Sequence, residues 1–491
     1  MNSKSNFNQA LWLAISYTCS MLVGILSSVV LSRYFDKVQY GTYKQIIFIY
    51  NLLLTVFQAG LPAVFTFFLP RHSKEEGKFI VKKVQRLLFL LGLVFSLTLF
   101  FGADLIARLM NNPELSVGLK IFSVFPLFTL PTFGVEGIYT VNKNTRFVAF
   151  YNITTRLVML ACIVLPVVFV KNDYKVALIG WGIASFVAFI IAIIAKNKVY
   201  SDVDAKELEG LTKAIFDYSL PIMISALVMM VFKFADQFFI SRYFGTEAFA
   251  EFSNGNMTLP FAVMFIAPVR AILTPIFSKA SKEGIFDTAM NTLYSSMNQI
   301  AILMVPLIVF AFCFAKEIMV FLYSGIYENS FIYFRIMLVF NFLEMFVFSG
   351  ILSAIGKTKI NMIYTVICAA LLWVVDVVLL KFFSASPYAI AAAFVIMNGM
   401  AQYILPGLYL KRKDKILVVN KSTLLCILKV TIHCIIIGVV AVFFAQHMLH
   451  KTPLFWKLVV AFVLFYGLLI VSARIVKINY LEAVLKFIKK K

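Results

Sequence analysis

Long apolar segments separated by short polar segments run along nearly the whole chain. Most have close to 20 residues, about the length at which an α-helix crosses the hydrocarbon core of a bilayer. The pattern predicts about fourteen membrane-spanning helices and leaves no long polar stretch for a soluble domain. The predicted spans are residues 11–31, 43–70, 87–107, 117–139, 147–170, 176–195, 218–240, 258–277, 300–321, 331–353, 362–380, 389–410, 424–444 and 454–471.

Composition agrees with an all-α polytopic membrane protein. Of the 491 residues, 62% are hydrophobic and 14% are charged, whereas soluble proteins have about 45–50% and about 25%. The six cysteines all lie in apolar segments, and the four histidines show no metal-ligand spacing. Neither a disulfide framework nor a metal site is therefore predicted.

The net charge of +22 is explained by topology rather than by nucleic-acid binding. With the N-terminus in the cytoplasm, most Lys and Arg residues, including Lys82, Lys196 and Lys413, fall in inside-facing segments, as the positive-inside rule requires. Both termini are thus predicted to face the cytoplasm. From Tyr480 onwards, Leu481, Val484, Leu485 and Ile488 share one face ahead of a lysine cluster, which predicts an amphipathic helix on the anionic inner leaflet.

The chain contains an internal repeat. The string Ser-Arg-Tyr-Phe ends the first predicted span at 32–35 and the seventh at 241–244, and Ser-Lys-Glu follows the next span at 73–75 and again at 281–283. Two echoes in the same order indicate a duplicated half. Because each half has an even number of spans, a pseudo-two-fold axis along the membrane normal should relate them, with a substrate path between rocking halves.

This repeat sets the predicted domains. They are a first six-helix bundle (1–196), a cytoplasmic linker (197–214), a second six-helix bundle (215–411), and two accessory helices with a basic amphipathic tail (412–491).

Charges inside the spans are the candidate functional residues, because each costs about 2.5–3.5 kcal/mol at the bilayer centre. Lys233 and Asp236, with Gln237, have the spacing of one helix face in the seventh span. They either line a cavity between the halves or form a structural ion pair near the outer surface. Arg33 and Arg242 occupy equivalent positions at the outer ends of their spans.

Three further charges lie deep in predicted spans: Arg156, Glu344 and Asp376. Interhelical ion pairing would explain all three. Proton coupling or contact with substrate is an equal alternative for the two acids. No phosphate-binding glycine loop or partnered nucleophile accompanies them, so no catalytic residues are predicted.

Several loose motifs, taken in order, resemble a known superfamily. They are Leu-Ser-Arg-Tyr-Phe at 31–35, Tyr-Gly-Thr-Tyr at 40–43, Ala-Gly-Leu-Pro at 59–62, Lys233 with Asp236, Pro-Val-Arg at 268–270, Pro-Ile-Phe-Ser at 275–278, Leu-Tyr-Ser-Gly-Ile-Tyr at 322–327 and Gly-Lys-Thr-Lys at 356–359. Together they resemble the multidrug/oligosaccharidyl-lipid/polysaccharide flippase superfamily, in its bacterial polysaccharide-export (O-antigen flippase-like) branch.

The resemblance implies a fold and a function. The fold would be two six-helix bundles around a V-shaped cavity, plus two accessory helices, in the bacterial inner membrane. The cargo would be a polyprenyl-diphosphate-linked oligosaccharide for surface polysaccharides such as lipopolysaccharide. Lys233, Arg156, Arg33 and Arg242 are the cations available to its phosphates.

Coupling and partners also follow from the resemblance. An ion gradient (H⁺ or Na⁺) would give Asp236, Gln237, Glu344 or Asp376 a role without any cofactor. A polysaccharide polymerase and chain-length proteins would be partners. The alternative is a multidrug or organic-cation antiporter of the same superfamily, whose site should be dominated by acids. A membrane enzyme is disfavoured, because no loop is long enough to hold its chemistry.

Overall fold

The computed structural model describes residues 3–257, 259–480 and 482, and these residues form helices and no β-strand. The prediction of an all-α polytopic protein is confirmed. Before residue 258 the helices are α1 (Ser3–Tyr34), α2 (Lys37–Phe57), α3 (Pro62–Phe68), α4 (Lys74–Leu109), α5 (Glu114–Phe122), α6 (Val124–Thr129), α7 (Val135–Val141), α8 (Thr145–Phe169), α9 (Tyr174–Val199), α10 (Leu211–Lys233) and α11 (Ala235–Gly255).

After residue 258 the helices are α12 (Pro260–Glu283), α13 (Asp287–Cys313), α14 (Ala315–Tyr323), α15 (Ser330–Glu344), α16 (Ile351–Ala354), α17 (Thr358–Phe382), α18 (Pro387–Gly399), α19 (Leu405–Lys413), α20 (Lys421–Met448) and α21 (Leu454–Val476). A π-helical turn, Met400–Ile404, joins α18 to α19. The predicted tail residues Leu481, Val484, Leu485 and Ile488 lie outside the described part of the chain.

The number of spans agrees with the sequence pattern. Within the described residues, 12 helices are long and apolar enough to cross a membrane, or 13 if the bent pair Ser330–Glu344 and Val347–Ala354 is one span. The two parts of that pair meet at 62°, where Phe346 leaves the helical region (φ −77°, ψ 69°). In addition, α12 covers most of the predicted eighth span. The chain is thus a multi-pass integral membrane protein.

The chain forms two compact units, Met1–Ala250 and Glu251–Lys491. In the first, α8 packs along both α1 and α9, and α4 packs on α5 and α6. In the second, α20 packs along α13 and α21, and α18 lies between α15 and α17. The predicted domain boundaries at 197–214 and 411 stay a prediction.

The two repeated strings occupy helix ends. Residues 32–35 close α1, and residues 241–244 precede Gly245, where the helix is interrupted by a positive φ of 82°. The second echo differs between its copies. Ser73 begins a helix, since its side chain caps α4 in a reciprocal capping box with Glu76. Its counterpart segment ends a helix, because Gly284 adopts the left-handed conformation (φ 72°) after α12.

The polar linker after α9 is held against the start of α4. Lys74 Nζ lies 2.6 Å from Asp202 Oδ2, and the backbone N–H of Lys206 donates to the carbonyl of Glu75 at 3.1 Å. The hydrogen bond from Lys74 lowers the pKa of the exposed Asp202 carboxyl. This attachment begins only after Val199, so Lys196 is not a cytoplasm-facing linker residue, contrary to the sequence interpretation; it is fully buried.

Candidate functional site

A cavity of about 670 Å³ lies inside the first unit, between α1, α2, α3 and the helices from α5 to α9. This volume falls within the range of about 300–1,000 Å³ that is usual for ligand sites. Its polar lining residues are Tyr50, Asn51, Thr66, Thr129, Thr132, Glu136, Thr140, Tyr151, Asn152, Thr155, Arg156 and Ser185. Apolar and aromatic side chains, among them Phe122, Phe125 and Trp181, complete the wall.

Two charged side chains line this cavity within the described residues, Arg156 from α8 and Glu136 from α7. Arg156 forms no ion pair there; its nearest polar contact is Met159 Sδ at 3.7 Å from Nη1. Glu136 accepts a hydrogen bond from the Tyr17 hydroxyl. The acid is therefore engaged by its own unit, whereas the guanidinium keeps its donors available for a ligand.

The cavity wall near Glu136 is a broken span. The fourth span divides into α5, α6, a 3₁₀ turn at Leu130–Thr132 and α7. Such non-helical backbone is tolerated at membrane depth only where protein covers it or where it lines a cavity. Lys196 of α9 covers it here, since its Nζ donates to the carbonyls of Pro131 (2.6 Å) and Phe133 (2.5 Å).

Gly134 makes the turn between the 3₁₀ segment and α7. Its φ is +95°, a conformation that L side chains rarely adopt, and a Cβ placed there would lie 2.6 Å from ring atoms of Phe65. The backbone can therefore reverse at this point only because no side chain is present. This turn sets the direction of α7 and hence the position of Glu136.

We expect Gly134→Ala to lower the free energy of unfolding by about 2–4 kcal/mol, because strain at positive φ adds to a clash with Phe65. Thermal unfolding in detergent, followed with a thiol-reactive dye that reports the six free cysteines, would measure the loss. Gly182→Ala is the matched control, since a Cβ at Gly182 meets nothing within 4 Å. Equal melting temperatures for the two variants would contradict the role given to Gly134.

A helix break separates Lys233 from Asp236. α10 ends at Lys233, Phe234 departs from helical geometry (φ −105°, ψ 5°), and α11 begins at Ala235. Lys233 is exposed, Asp236 is buried and Gln237 is half-buried. The Gln237 backbone N–H donates to Asp236 Oδ1 at 2.8 Å. These residues therefore do not share one continuous helix face, and none of them lines the cavity around Arg156.

The remaining predicted residues are dispersed. Arg33 is exposed, and Arg242 is half-buried, with its guanidinium 5.8 Å from the Tyr243 ring centroid. In the second unit, Glu344 is half-buried and accepts from Asn341 Nδ2 at 2.9 Å, while Asp376 is fully buried. Of the predicted cations, only Arg156 lines the cavity of the first unit. Roles for the other residues stay predictions.

Sequence reasoning missed Glu136, Trp181 and Lys196. Glu136 lies in the string Gly-Val-Glu-Gly near the end of a predicted span. Two glycines so close together inside a span are a signal for a broken helix lining a cavity. Trp181 and Lys196 gave no such signal, because a tryptophan within a span and a lysine at its end are ordinary anchors at a membrane surface.

Comparisons with known proteins agree with this architecture. A family model described as "Polysaccharide biosynthesis protein" matches residues 7–281, and a model described as MatE matches residues 221–379. The membrane protein YabM of Bacillus subtilis (strain 168) is 21% identical over 419 residues, which are 78% of each chain.

Two solved structures have a similar fold. The lipid II flippase MurJ in an inward closed conformation has a TM-score of 0.70 at 17% identity, covering 95% of this chain and 99% of its own. A transporter of the same superfamily as the MATE proteins, from Pyrococcus furiosus, has a TM-score of 0.58 at 14% identity, covering 85% and 97%.

Proposed function

Since the chain belongs to the polysaccharide biosynthesis protein family, within the multidrug/oligosaccharidyl-lipid/polysaccharide flippase superfamily, we propose that it moves a polyprenyl-diphosphate-linked oligosaccharide across the membrane. The direction would be from the inner to the outer leaflet by alternating access. The single observation that supports this cargo is Arg156, a cation without an ion pair among the described residues, inside a closed polar cavity.

The physical argument rests on charge. A diphosphate headgroup cannot enter hydrocarbon without a compensating cation, and an arginine in a low-dielectric cavity can donate two parallel hydrogen bonds to phosphate oxygens. The cost of holding Arg156 inside a span is then offset when the anion binds. Neither apolar packing nor solvation at a membrane surface requires an arginine lining a cavity between helices.

Binding to Arg156 can be tested with purified protein in nanodiscs. We expect Arg156→Gln to weaken binding of polyprenyl diphosphate by about 10- to 100-fold, the loss typical of a charge-assisted hydrogen bond. Binding of the uncharged polyprenol should not change. Arg108→Gln, at an exposed arginine outside the cavity, is the matched control, and Lys233→Gln tests the second predicted cation separately.

A second candidate is an organic-cation antiporter, because Glu136 lines the same cavity. That function predicts the opposite result: Glu136→Gln would abolish binding of a lipophilic cation, and Arg156→Gln would leave it intact or improve it. Equal affinity of wild type and Arg156→Gln for polyprenyl diphosphate would reject the flippase proposal in favour of this one.

Several finer properties belong to the same proposal. The protein would reside in a bacterial inner membrane with both termini in the cytoplasm, alongside a polysaccharide polymerase and chain-length proteins. An H⁺ or Na⁺ gradient would drive the cycle without a cofactor, using Asp236, Glu344 or Asp376. What supports this coupling is that these acids are buried or half-buried within helices of an integral membrane protein, where ionisable groups mark ion pathways.

A further inference from the structure

One part of the cavity wall is a rigid group of aromatic rings. Trp181 meets Phe125 edge-on, with centroids 4.9 Å apart at 88°, and Phe122 at 5.8 Å and 68°. Tyr50 meets Phe125 in the same manner at 5.0 Å. The Trp181 indole is further fixed because its Nε1–H donates to the Tyr43 hydroxyl at 3.0 Å. The wall therefore offers a preformed flat apolar surface, with Trp181 its half-buried member.

Polar groups without partners line the same cavity. The Thr129 and Thr140 hydroxyls are buried and have no hydrogen-bond partner within the described residues. The Asn51 side chain is exposed to the cavity and also forms no hydrogen bond there. Buried polar groups in proteins are nearly always paired, so unpaired ones in a cavity indicate that water or a ligand completes them.

The combination of rings and polar groups has a specific chemical match. A pyranose ring has one or two faces of C–H groups, which pack on an aromatic plane, and a rim of hydroxyls, which both donate and accept hydrogen bonds. A site for it needs a rigid aromatic ring beside amide and hydroxyl groups. A purely apolar cargo would leave Asn51, Thr129 and Thr140 unsatisfied, and an anion alone would have no use for the rings.

We propose that the Trp181 wall and the unpartnered groups of Asn51, Thr129 and Thr140 form a carbohydrate subsite, which holds the sugar nearest to the diphosphate. This inference rests on the proposed function, since it assumes that Arg156 in the same cavity holds the phosphates. The arrangement divides recognition in two: Arg156 selects the charged link, and the aromatic wall selects sugar-bearing over sugar-free carrier.

Two probe lipids separate the subsites: polyprenyl diphosphate, and the same lipid bearing one N-acetylglucosamine. We expect wild-type protein in nanodiscs to bind the sugar-bearing lipid about tenfold more tightly, the scale of one good aromatic contact. Trp181→Leu should reduce this preference to less than about twofold without changing affinity for the sugar-free lipid. Arg156→Gln should weaken both lipids alike.

Controls keep the outcomes distinct. Trp456→Leu replaces an exposed tryptophan outside the cavity and should retain the full preference. If Trp181→Leu does not fold, as judged by its thermal unfolding, Asn51→Ala provides the same test from the polar side. A wild type that binds both lipids equally, or a Trp181→Leu protein that keeps the preference, would overturn the subsite while leaving the proposed function standing. Failure of wild type to bind either lipid would overturn both.

Discussion

Replacing Lys196 with methionine is expected to abolish most transport while leaving the protein folded in the membrane. Two effects of similar size oppose each other in the stability. The substitution removes two hydrogen bonds from an ammonium, about 1.5–3 kcal/mol each. It also removes the cost of burying that ammonium, which is several kcal/mol. Because these contributions nearly cancel, overall stability should change little.

The position of the broken span should change much more. Without Lys196, the carbonyls of Pro131 and Phe133 lose their buried donor and must find water or rebuild helix. Either response moves the turn at Gly134 and carries Glu136 with it. A binding constellation loses function when its groups are displaced by about 1 Å, so we expect transport to fall by one to two orders of magnitude.

A proteoliposome flipping assay with a labelled sugar-bearing polyprenyl diphosphate would measure this loss. Lys198→Met is the matched control, because Lys198 lies on the same helix and is exposed. The Tyr139 hydroxyl also ties α7 to α9, donating to the Ala195 carbonyl at 2.9 Å, so the Met variant should still fold. Transport by Lys196→Met at the rate of Lys198→Met would show that the ammonium does not hold the cavity wall.

The predictability of the fold follows from the physics that sets each feature. Hydrocarbon thickness fixes span length, so every predicted span contains a helix. Helix ends were less predictable, because a polar stretch such as the start of α4 is also helical once Ser73 caps it. Breaks were missed entirely at Phe234, since an uninterrupted apolar string does not reveal where backbone geometry changes.

The candidate site shows the same division. Arg156 was identifiable because a charge deep in a span stands out in any hydrophobic sequence, and it does line the cavity. Lys196 was misassigned because one lysine at a span end looks the same whether it points to water or to carbonyls. The unpaired hydroxyls of Thr129 and Thr140 depend on contacts between helices. A single sequence does not contain that information.

The repeat itself shows what sequence similarity does and does not determine. Ser32 and Ser241 hold the same place in the repeated string, and both are fully buried. Ser32 bonds to its own helix, at the carbonyl of Val29. Ser241 instead accepts a hydrogen bond from Gln45 Nε2 of α2 at 2.8 Å. The copies thus serve different contacts, and only the second joins its helix to another.

A buried contact around Ser241 holds α11 against α2 within the first unit. Asn112 donates to Gln45 at 2.7 Å and to Thr42 at 3.0 Å, which orients the Gln45 amide towards Ser241. Beside it, a Cβ on Gly41 would lie 2.7 Å from the Thr246 carbonyl carbon, so the backbones touch only because Gly41 lacks one. Between α2 and α11, the Gln45–Ser241 bond contributes only about 0.5–1.5 kcal/mol, so conformational change can open this contact.

Cross-linking this contact is therefore expected to stop transport. α2 and α11 belong to different halves of the repeat, and rocking of the halves requires their ends to separate. We expect the Gln45→Cys, Ser241→Cys double variant, joined by a short bis-thiosulfonate, to show no flipping in proteoliposomes and to recover after reduction. The two single variants treated alike should keep transporting, and the untreated double variant shows the cost of losing the hydrogen bond alone. A protease site placed in the linker would verify the cross-link. Full transport by the cross-linked protein would mean that α2 and α11 stay together throughout the cycle, and that the moving boundary lies elsewhere than the repeat indicates.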